Sequence, residues 1–254
     1  MGEAFLYGWS CLFFIMAILH AKESSYSNKK RKHFFVSIVF SAVAVLIWLW
    51  WGNNILHRHI MPMEINIVMI LCFCLTGGVG QYFWRQYRKA SSGDTGIERS
   101  LDVLKDGLPD DYQVFTNVTL EGTFCNTVVV GTNGVFIINT KNHNGEITPT
   151  DDREWMQEKV GRRGTHYSAP MRNPIKQLKR QIYIASQYFR AHNINVWIDG
   201  IVYFTNPDLI LHGTADQYTN KGRGVISFIL DYPVRKSLSE DKIREISALL
   251  LSFV

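Results

Sequence analysis

Two asparagines and one lysine lie at spacings that could do metal-assisted chemistry. Asn126 lies two residues before Val128 in one β-like run, and Asn139 lies two residues before Lys141 in the next. Side chains two positions apart on a strand share a face, about 7 Å apart. When acids stand at the two asparagine positions, such a pair binds a divalent cation beside a positioned water, and the lysine steadies the nucleophile or the transition-state charge.

A longer series of residues continues this pattern along the chain: Gly96-Ile97-Glu98, residues 125–131, residues 134–142, Gly145, Trp155 and residues 173–177. The ordered series resembles the nuclease-related domain family, NERD, over roughly residues 93–204. The resemblance implies a restriction-endonuclease-like fold of the PD-(D/E)xK superfamily. It also implies a Mg²⁺-dependent site that cleaves nucleic acid.

The resemblance assigns the site residues as well: Glu98, Asn126, Asn139, Lys141 and Gln177. The family's strand aspartate falls on Asn126 and its glutamate falls on Asn139, so both metal-binding carboxylates are replaced. A neutral amide oxygen does not offset the charge of a dication, and Mg²⁺ gives up its waters reluctantly. We therefore expect no bound cofactor and a pseudonuclease, in which losing ~5 kcal/mol of metal stabilisation slows cleavage on the order of a thousandfold or more.

Acids from other positions offer an alternative. Five of them could approach the same edge and restore two carboxylates: Glu98, Glu121, Glu146, Asp151 and Asp152. The protein would then be an active Mg²⁺- or Mn²⁺-dependent DNA or RNA nuclease. The competing interpretation is that these acids are solvated on the surface and that the two asparagines are hydrogen-bonded groups closing a former metal pocket.

A basic stretch indicates a polyanionic partner. Residues 159–190 hold eight basic residues and no acid: Lys159, Arg162, Arg163, Arg172, Lys176, Lys179, Arg180 and Arg190. We expect six of these to bind DNA or RNA phosphates: Arg162, Arg163, Arg172, Lys176, Lys179 and Arg180. Trp155 and Tyr167 lie nearby as stacking groups. Anionic lipid headgroups are the alternative ligand for this stretch.

The first third of the chain has a different composition. Three apolar stretches, at about residues 4–19, 34–51 and 65–84, approach the length that a helix needs to cross a bilayer. Nine basic and three acidic residues precede Ser91, a formal charge of +6, whereas the rest of the chain carries −1. The sequence therefore predicts a membrane segment of three helices over residues 1–90, with the lipid bilayer as its partner.

The loop charges predict the orientation. Five basic residues lie between the first two apolar stretches and one lies between the second and third. Because cytoplasmic loops carry the excess of lysine and arginine, we expect a multi-pass protein of the inner, cytoplasmic membrane with its C-terminal domain in the cytoplasm. A membrane-bound scaffold that recruits an unknown protein partner is a further alternative. Three of the four cysteines fall in the apolar stretches, so no disulfide framework or zinc spacing arises.

The remaining residues predict an α/β domain over residues 97–254. Residues 91–96 are predicted as a linker, and a helix then begins near Ile97 and ends at Gly107. The predicted elements that follow are strands at 112–120, 125–130 and 135–140, a helix from Pro174, strands at 195–204 and 224–230, and a last helix capped at Ser237. This αβββαβ order, followed by βα, predicts a mixed sheet flanked by helices.

Overall fold

The computed structural model describes residues 26–57, 62–150, 154–161, 164–213, 215–233 and 237–253. The chain divides into two compact units, Met1–Ser91 and Ser92–Val254. The apolar stretch predicted as a span at residues 4–19 lies outside the described residues, so it stays a prediction.

In the described part of the first unit two long helices begin: α1, Tyr26–Leu56, and α2, Met63–Gly107. They contain the predicted spans at residues 34–51 and 65–84. By length and apolar composition both could cross a membrane. Only 17% of the most apolar window of α1 and 6% of that of α2 is buried. A core helix of a soluble protein, by contrast, is mostly buried.

Small residues bring α1 and α2 together. A Cβ added to Gly80 would lie 2.9 Å from Ser41 Oγ, and Ser37 Oγ donates a hydrogen bond to Gly80 O at 3.1 Å. Trp51 Nε1 donates to Asn66 Oδ1 at 2.9 Å. Close backbone approach and interhelical hydrogen bonds are the main sources of helix association in lipid.

Residues 91–96, predicted as a linker, are instead helical and belong to α2, so no separate helix begins near Ile97. Contacts within the second unit stabilise the helical conformation of this polar segment. Asn142 Nδ2 donates to Ser92 O at 2.9 Å, and a Cβ on Gly96 would lie 3.0 Å from Asn142 Cβ. The low helix propensity of glycine and serine is a weak preference that such contacts override. The helix ends at Gly107, as predicted.

The described strands run in chain order as β1 Gln113–Leu120, β2 Thr123–Gly131, β3 Gly134–Lys141, β4 Gly145–Thr148, β5 Glu154–Val160, β6 His166–Arg172, β7 Ile198–Phe204, β8 Leu209–Leu211 and β9 Tyr218–Thr219. Five of them form the main sheet, in the order β1–β2–β3–β7–β9. β1, β2 and β3 pair antiparallel, whereas β7 pairs parallel with β3 and with β9. The predicted mixed sheet is therefore confirmed.

A second sheet, in the order β6–β5–β4–β8, occupies residues for which the sequence predicted no strand. In β5, Trp155 and Gln157 are buried while Glu154, Met156 and Glu158 are exposed. This alternation of burial is the strand period of two. A buried glutamine concealed the alternation, because only one of the two inward side chains is apolar.

Three further helices complete the second unit: α3, Pro174–Ala191, α4, Gly222–Leu230, and α5, Glu240–Leu251. α3 begins as predicted, with Asn173 Oδ1 accepting from the backbone N–H groups of Ile175 and Lys176. The strand predicted at residues 224–230 is wrong, because that segment lies in α4. A seven-residue apolar run fits either period, and the burial of Val225 and Ile229, four residues apart, favours the helix. Ser239, not Ser237, caps α5.

The main sheet buries a separate apolar cluster on each face. Val128 and Ile137 pack on the face covered by α3, and Phe136 packs on the face covered by α4. Gly200 in β7 permits the close approach of α3, since a Cβ there would lie 2.3 Å from Ile137 O and 2.8 Å from Leu178 Cδ1. The carboxyl ends of β3 and β7, called the sheet edge below, therefore lie next to the first turn of α3.

Candidate functional site

The candidate site lies where the parallel strands β3 and β7 end. Lys141 is paired with Phe204 in the register of these strands, and Thr205 N donates to Lys141 O at 2.9 Å. The carboxyl ends of parallel strands are the usual place for ligands in open α/β sheets.

Asn126 and Asn139 lie at one end of the pairing between β2 and β3. In the β2–β3 register Val128 pairs with Ile137 and Thr127 pairs with Ile138. Thr127–Ile138 is the last pair at this end, and Asn126 and Asn139 are the next residues of the two strands. Both are buried. Asn139, two residues after Ile137, lies on the face that α3 covers.

Asn139 is fully buried. Its Nδ2 donates to the backbone oxygen of Pro174, in the first turn of α3, at 3.1 Å. Its Oδ1 is buried without a hydrogen-bond partner. Asn139 therefore ties the sheet edge to α3 through its amide donor, a bond that a carboxylate at this position would lose.

Lys141 lies beyond Asn139 on the same face and reaches the same helix. Its Nζ donates to Gln177 Oε1 at 2.8 Å. Burial lowers the pKa of Lys141 to about 8. Lys141 is half-buried, and its ammonium is held by a neutral acceptor rather than a carboxylate, so nothing in this contact offsets the cost of its partial removal from water.

His143, between β3 and β4, lies in this charged neighbourhood. Burial, followed by the charges of Lys141 and Lys159, lowers the pKa of His143 to about 4, while a hydrogen bond with Gln157 acts in the opposite direction. Gln157 Nε2 also donates to Asn144 O at 2.7 Å. Sequence reasoning missed Gln157 and the inward position of Lys159. The period-two spacing of Trp155, Gln157 and Lys159 was the signal that could have found them.

Glu98 is exposed on α2. The helix residue two positions earlier, Gly96, packs beside Thr140, Asn142 and Thr205. Thr140 alternates with Lys141 along β3, so this packing lies on the sheet face opposite Asn139. The sequence resemblance assigns Glu98 to the site, and the described contacts do not join it to Lys141 or Gln177.

The other acids of the alternative reading lie apart or outside the described residues. Glu146 is bound to His212, with His212 Nε2 3.1 Å from Glu146 Oε2. Glu121, in the β1–β2 turn, acts on the pKa of Tyr188 near the far end of α3. Asp151 and Asp152 belong to the residues that the structure does not describe.

The described side chains at this edge do not fit a magnesium ion. Among the described residues no group of three or more histidine, cysteine, aspartate or glutamate side chains could hold a metal. The unpartnered Oδ1 of Asn139 is an oxygen ligand, but it is neutral, and the ammonium of Lys141 on the same face repels a cation. Mg²⁺ is usually held by one or two carboxylates together with its waters.

The predicted phosphate-binding cations fall into two groups. Four of them are exposed: Arg172, Lys176, Lys179 and Arg180. Arg162 and Arg163 lie outside the described residues. Of the two aromatic residues proposed for stacking, Trp155 is fully buried and donates from Nε1 to Thr150 O, which makes it a core residue. Tyr167 is 50% exposed.

The sequence model of one protein family, described as the nuclease-related domain (NERD), matches residues 92–205. The chain therefore contains a nuclease-related domain. The match includes β3, β7 and the first turns of α3, which carry the candidate site. No curated protein and no solved structure matches the chain.

Proposed function

We propose that this chain is a membrane-anchored pseudonuclease, whose nuclease-related domain binds nucleic acid and has lost ordinary metal-dependent cleavage. The observation that carries the proposal is the pair of buried amides, Asn126 and Asn139, at the end of the β2–β3 pairing, with Lys141, two residues after Asn139, bound to Gln177. The strand order β1–β2–β3–β7 and the position of these residues support a restriction-endonuclease-like ancestry.

The argument against cleavage is electrostatic. Phosphodiester cleavage on a bound dication needs anionic ligands that hold the ion and lower its charge. Asn139 contributes a neutral oxygen and uses its amide nitrogen to hold Pro174 O. The retained lysine lacks an anionic partner in this contact, so it is suited to meeting a phosphate rather than to supporting a cation.

Binding is supported by the exposed cations around α3. Arg172, Lys176, Lys179 and Arg180 are in solvent, and none of the ion pairs among the described residues involves them. Unpaired surface cations release counterions when they meet phosphates, which gives affinity without sequence specificity.

The anchor is supported by the exposed apolar surfaces of α1 and α2. The basic loop residues favour an inner-membrane, multi-pass topology with the nuclease-related domain in the cytoplasm. Cysteine-accessibility labelling at Ser237 and Asn54 in intact cells tests this, because only the residue on the outer side reacts with an impermeant reagent.

The test of catalysis compares the purified full chain in neutral detergent micelles with the double variant Asn126→Asp, Asn139→Glu. Each is incubated with DNA or RNA in Mg²⁺ and in Mn²⁺. The expected result is no cleavage by the wild-type chain and a gain of divalent-dependent cleavage in the double variant. Cleavage by the wild-type chain that Glu98→Ala abolishes contradicts the proposal and favours the active nuclease with relocated acids.

Binding is measured on the same preparations by fluorescence anisotropy of labelled oligonucleotides across a salt series. The proposal expects affinity that falls as salt rises. A chain that binds neither DNA nor RNA at low salt contradicts the nucleic-acid proposal and leaves the scaffold interpretation.

A further inference from the structure

The outer face of α3 is a surface of uniform character. Leu178, Ala185 and Phe189 bury the inner face of the helix against the main sheet. The opposite side presents exposed residues at spacings of three, four and seven, which place them on one stripe of the helix. This α3 stripe consists of Lys176, Lys179, Arg180, Tyr183, Gln187 and Arg190.

The cations of the α3 stripe have no acidic partners among the described residues. α3 contains no aspartate or glutamate, and the ion pairs among the described residues do not include the stripe. On α5, by contrast, Lys242 pairs with Glu245 at 2.6 Å and Arg244 pairs with Asp241 at 3.0 Å. A helix that leaves its cations without acids in i±3 or i±4 positions forgoes that stabilisation and keeps its positive field.

Tyr183 lies in the middle of the stripe, one turn after Lys179 and Arg180 and two turns before Arg190. Its side chain is 64% exposed, more than any other phenylalanine, tyrosine or tryptophan in the described part of the second unit. The ring contacts found among the described residues do not include it. An exposed aromatic ring beside unpaired cations offers a face on which a base can stack.

The geometry points to a strand whose bases have open faces. Stripe positions recur about every 5.4 Å, and Lys176 to Arg190 extends roughly 21 Å along the helix. A backbone that follows the helix can place successive phosphates on the cations, and a base can then stack on the ring. In a duplex the base faces are already stacked, so an isolated tyrosine on a helix surface gains little from it.

We propose that the α3 stripe binds single-stranded nucleic acid, with phosphates on Lys176, Lys179, Arg180 and Arg190 and a base stacked on Tyr183. This proposal rests on the proposed nucleic-acid binding and names the form of nucleic acid that the domain takes. It separates binding from the sheet edge, because the stripe lies on the opposite side of α3 from the core.

The test uses the full chain in neutral detergent micelles and labelled oligonucleotides of one length, single-stranded and duplex. Tyr183→Ala is expected to weaken single-strand binding roughly five- to hundredfold, the range for loss of one stacked base, and to leave duplex binding unchanged. Tyr183→Phe is expected to bind like the wild-type chain, because it keeps the ring. Leu251→Ala is the matched control, a comparably exposed apolar side chain on α5, outside the stripe, that is expected to change nothing.

The outcomes separate this proposal from the one on which it rests. If the wild-type chain binds oligonucleotides and Tyr183→Ala weakens single-strand and duplex binding equally, the stripe proposal is overturned. It is also overturned if Tyr183→Ala weakens neither. In both cases the proposal of nucleic-acid binding stands. If the wild-type chain binds no oligonucleotide, both fail. In that case, protection of Lys176 and Lys179 from amine modification by soluble phosphatidylserine assigns the stripe to lipid headgroups.

Discussion

The sheet edge and the α3 stripe carry the same kinds of side chain in opposite environments. At the edge, Asn139 is fully buried and Lys141 has a pKa lowered to about 8 by burial. On the stripe, Gln187 and Lys176 are exposed to solvent. Burial penalises charge where no opposite charge compensates it, whereas water stabilises it at no structural cost.

This difference separates two activities that a working nuclease combines. Cleavage needs carboxylates that balance the charge of a dication at a site shielded from water, whereas the sheet edge has amides at the corresponding positions. Binding needs only exposed cations, and the stripe retains them. We therefore expect substitutions at the edge to act on stability and proton binding, and substitutions on the stripe to act on affinity.

The largest effect is expected for Asn139→Asp. The substitution places a carboxylate against Pro174 O, where the amide now donates, at a position without solvent exposure. It should lower the free energy of unfolding by about 3 kcal/mol at neutral pH. Denaturant unfolding of the purified chain in micelles measures it.

Gln187→Glu is the matched control, the same amide-to-acid change on an exposed position of α3. It should change the free energy of unfolding by less than about 0.5 kcal/mol. If the two variants lose similar free energy of unfolding, Asn139 is no more shielded from water than Gln187.

The next effect concerns affinity. Replacing Lys176, Lys179 and Arg180 together by glutamine should flatten the slope of log K against log salt for oligonucleotide binding by roughly 2 to 3, because three phosphate contacts are lost. Lys242→Gln, which removes a cation paired with Glu245 on α5, should leave the slope as it is. An unchanged slope in the triple variant refutes the phosphate contacts.

A pH effect follows from Lys141. Its native pKa is about 8, below the ordinary 10.5, so between these values the unfolded chain binds the proton more tightly. The Lys141 contribution to stability therefore rises with pH from about 8 to 10.5 and is lost as pH falls back through that window. Lys141→Met should remove this rise from pH-dependent unfolding curves. Parallel curves for wild type and variant would show that the native pKa is not lowered.

The smallest effect is expected at His143. Its native pKa of about 4 makes the ring neutral at pH 7, and Lys159 contributes to this after burial and Lys141. Lys159→Gln should therefore raise the pKa of His143 slightly, as followed by NMR titration of the ring. Lys179→Gln on the stripe is the control. If the pKa of His143 is the same in the wild-type chain and in Lys159→Gln, Lys159 does not belong to the sheet edge.

Local rules predicted several elements of the second unit correctly. Asn173 and Pro174 predicted the start of α3, because a cap needs only its own side chain and the next backbone groups. The alternation of β3 predicted that Asn139 and Lys141 share a face. The same rules failed for residues 91–96 and 224–230, where contacts with other elements decided the conformation.

The candidate site shows the same division. The basic stretch was visible in the sequence, but its residues have different environments. Lys159 acts on His143 at the edge, whereas Lys176 is exposed on α3. Trp155 has a side chain of the type that stacks on bases, but it is buried in the core. Whether a side chain faces water depends on which element covers it, and that element lies elsewhere in the chain.

The sequence by itself determined the apolar stretches, the strand alternation and the cap of α3, and it predicted that Asn126 and Asn139 stand where the family has acids. These follow from residue type and short-range spacing. Only the tertiary structure decided that Asn139 is buried, that Lys141 is bound to Gln177 and that Tyr183 is exposed to solvent. Such facts arise from contacts between residues far apart in sequence, and burial, hydrogen bonding and pKa are properties of those contacts.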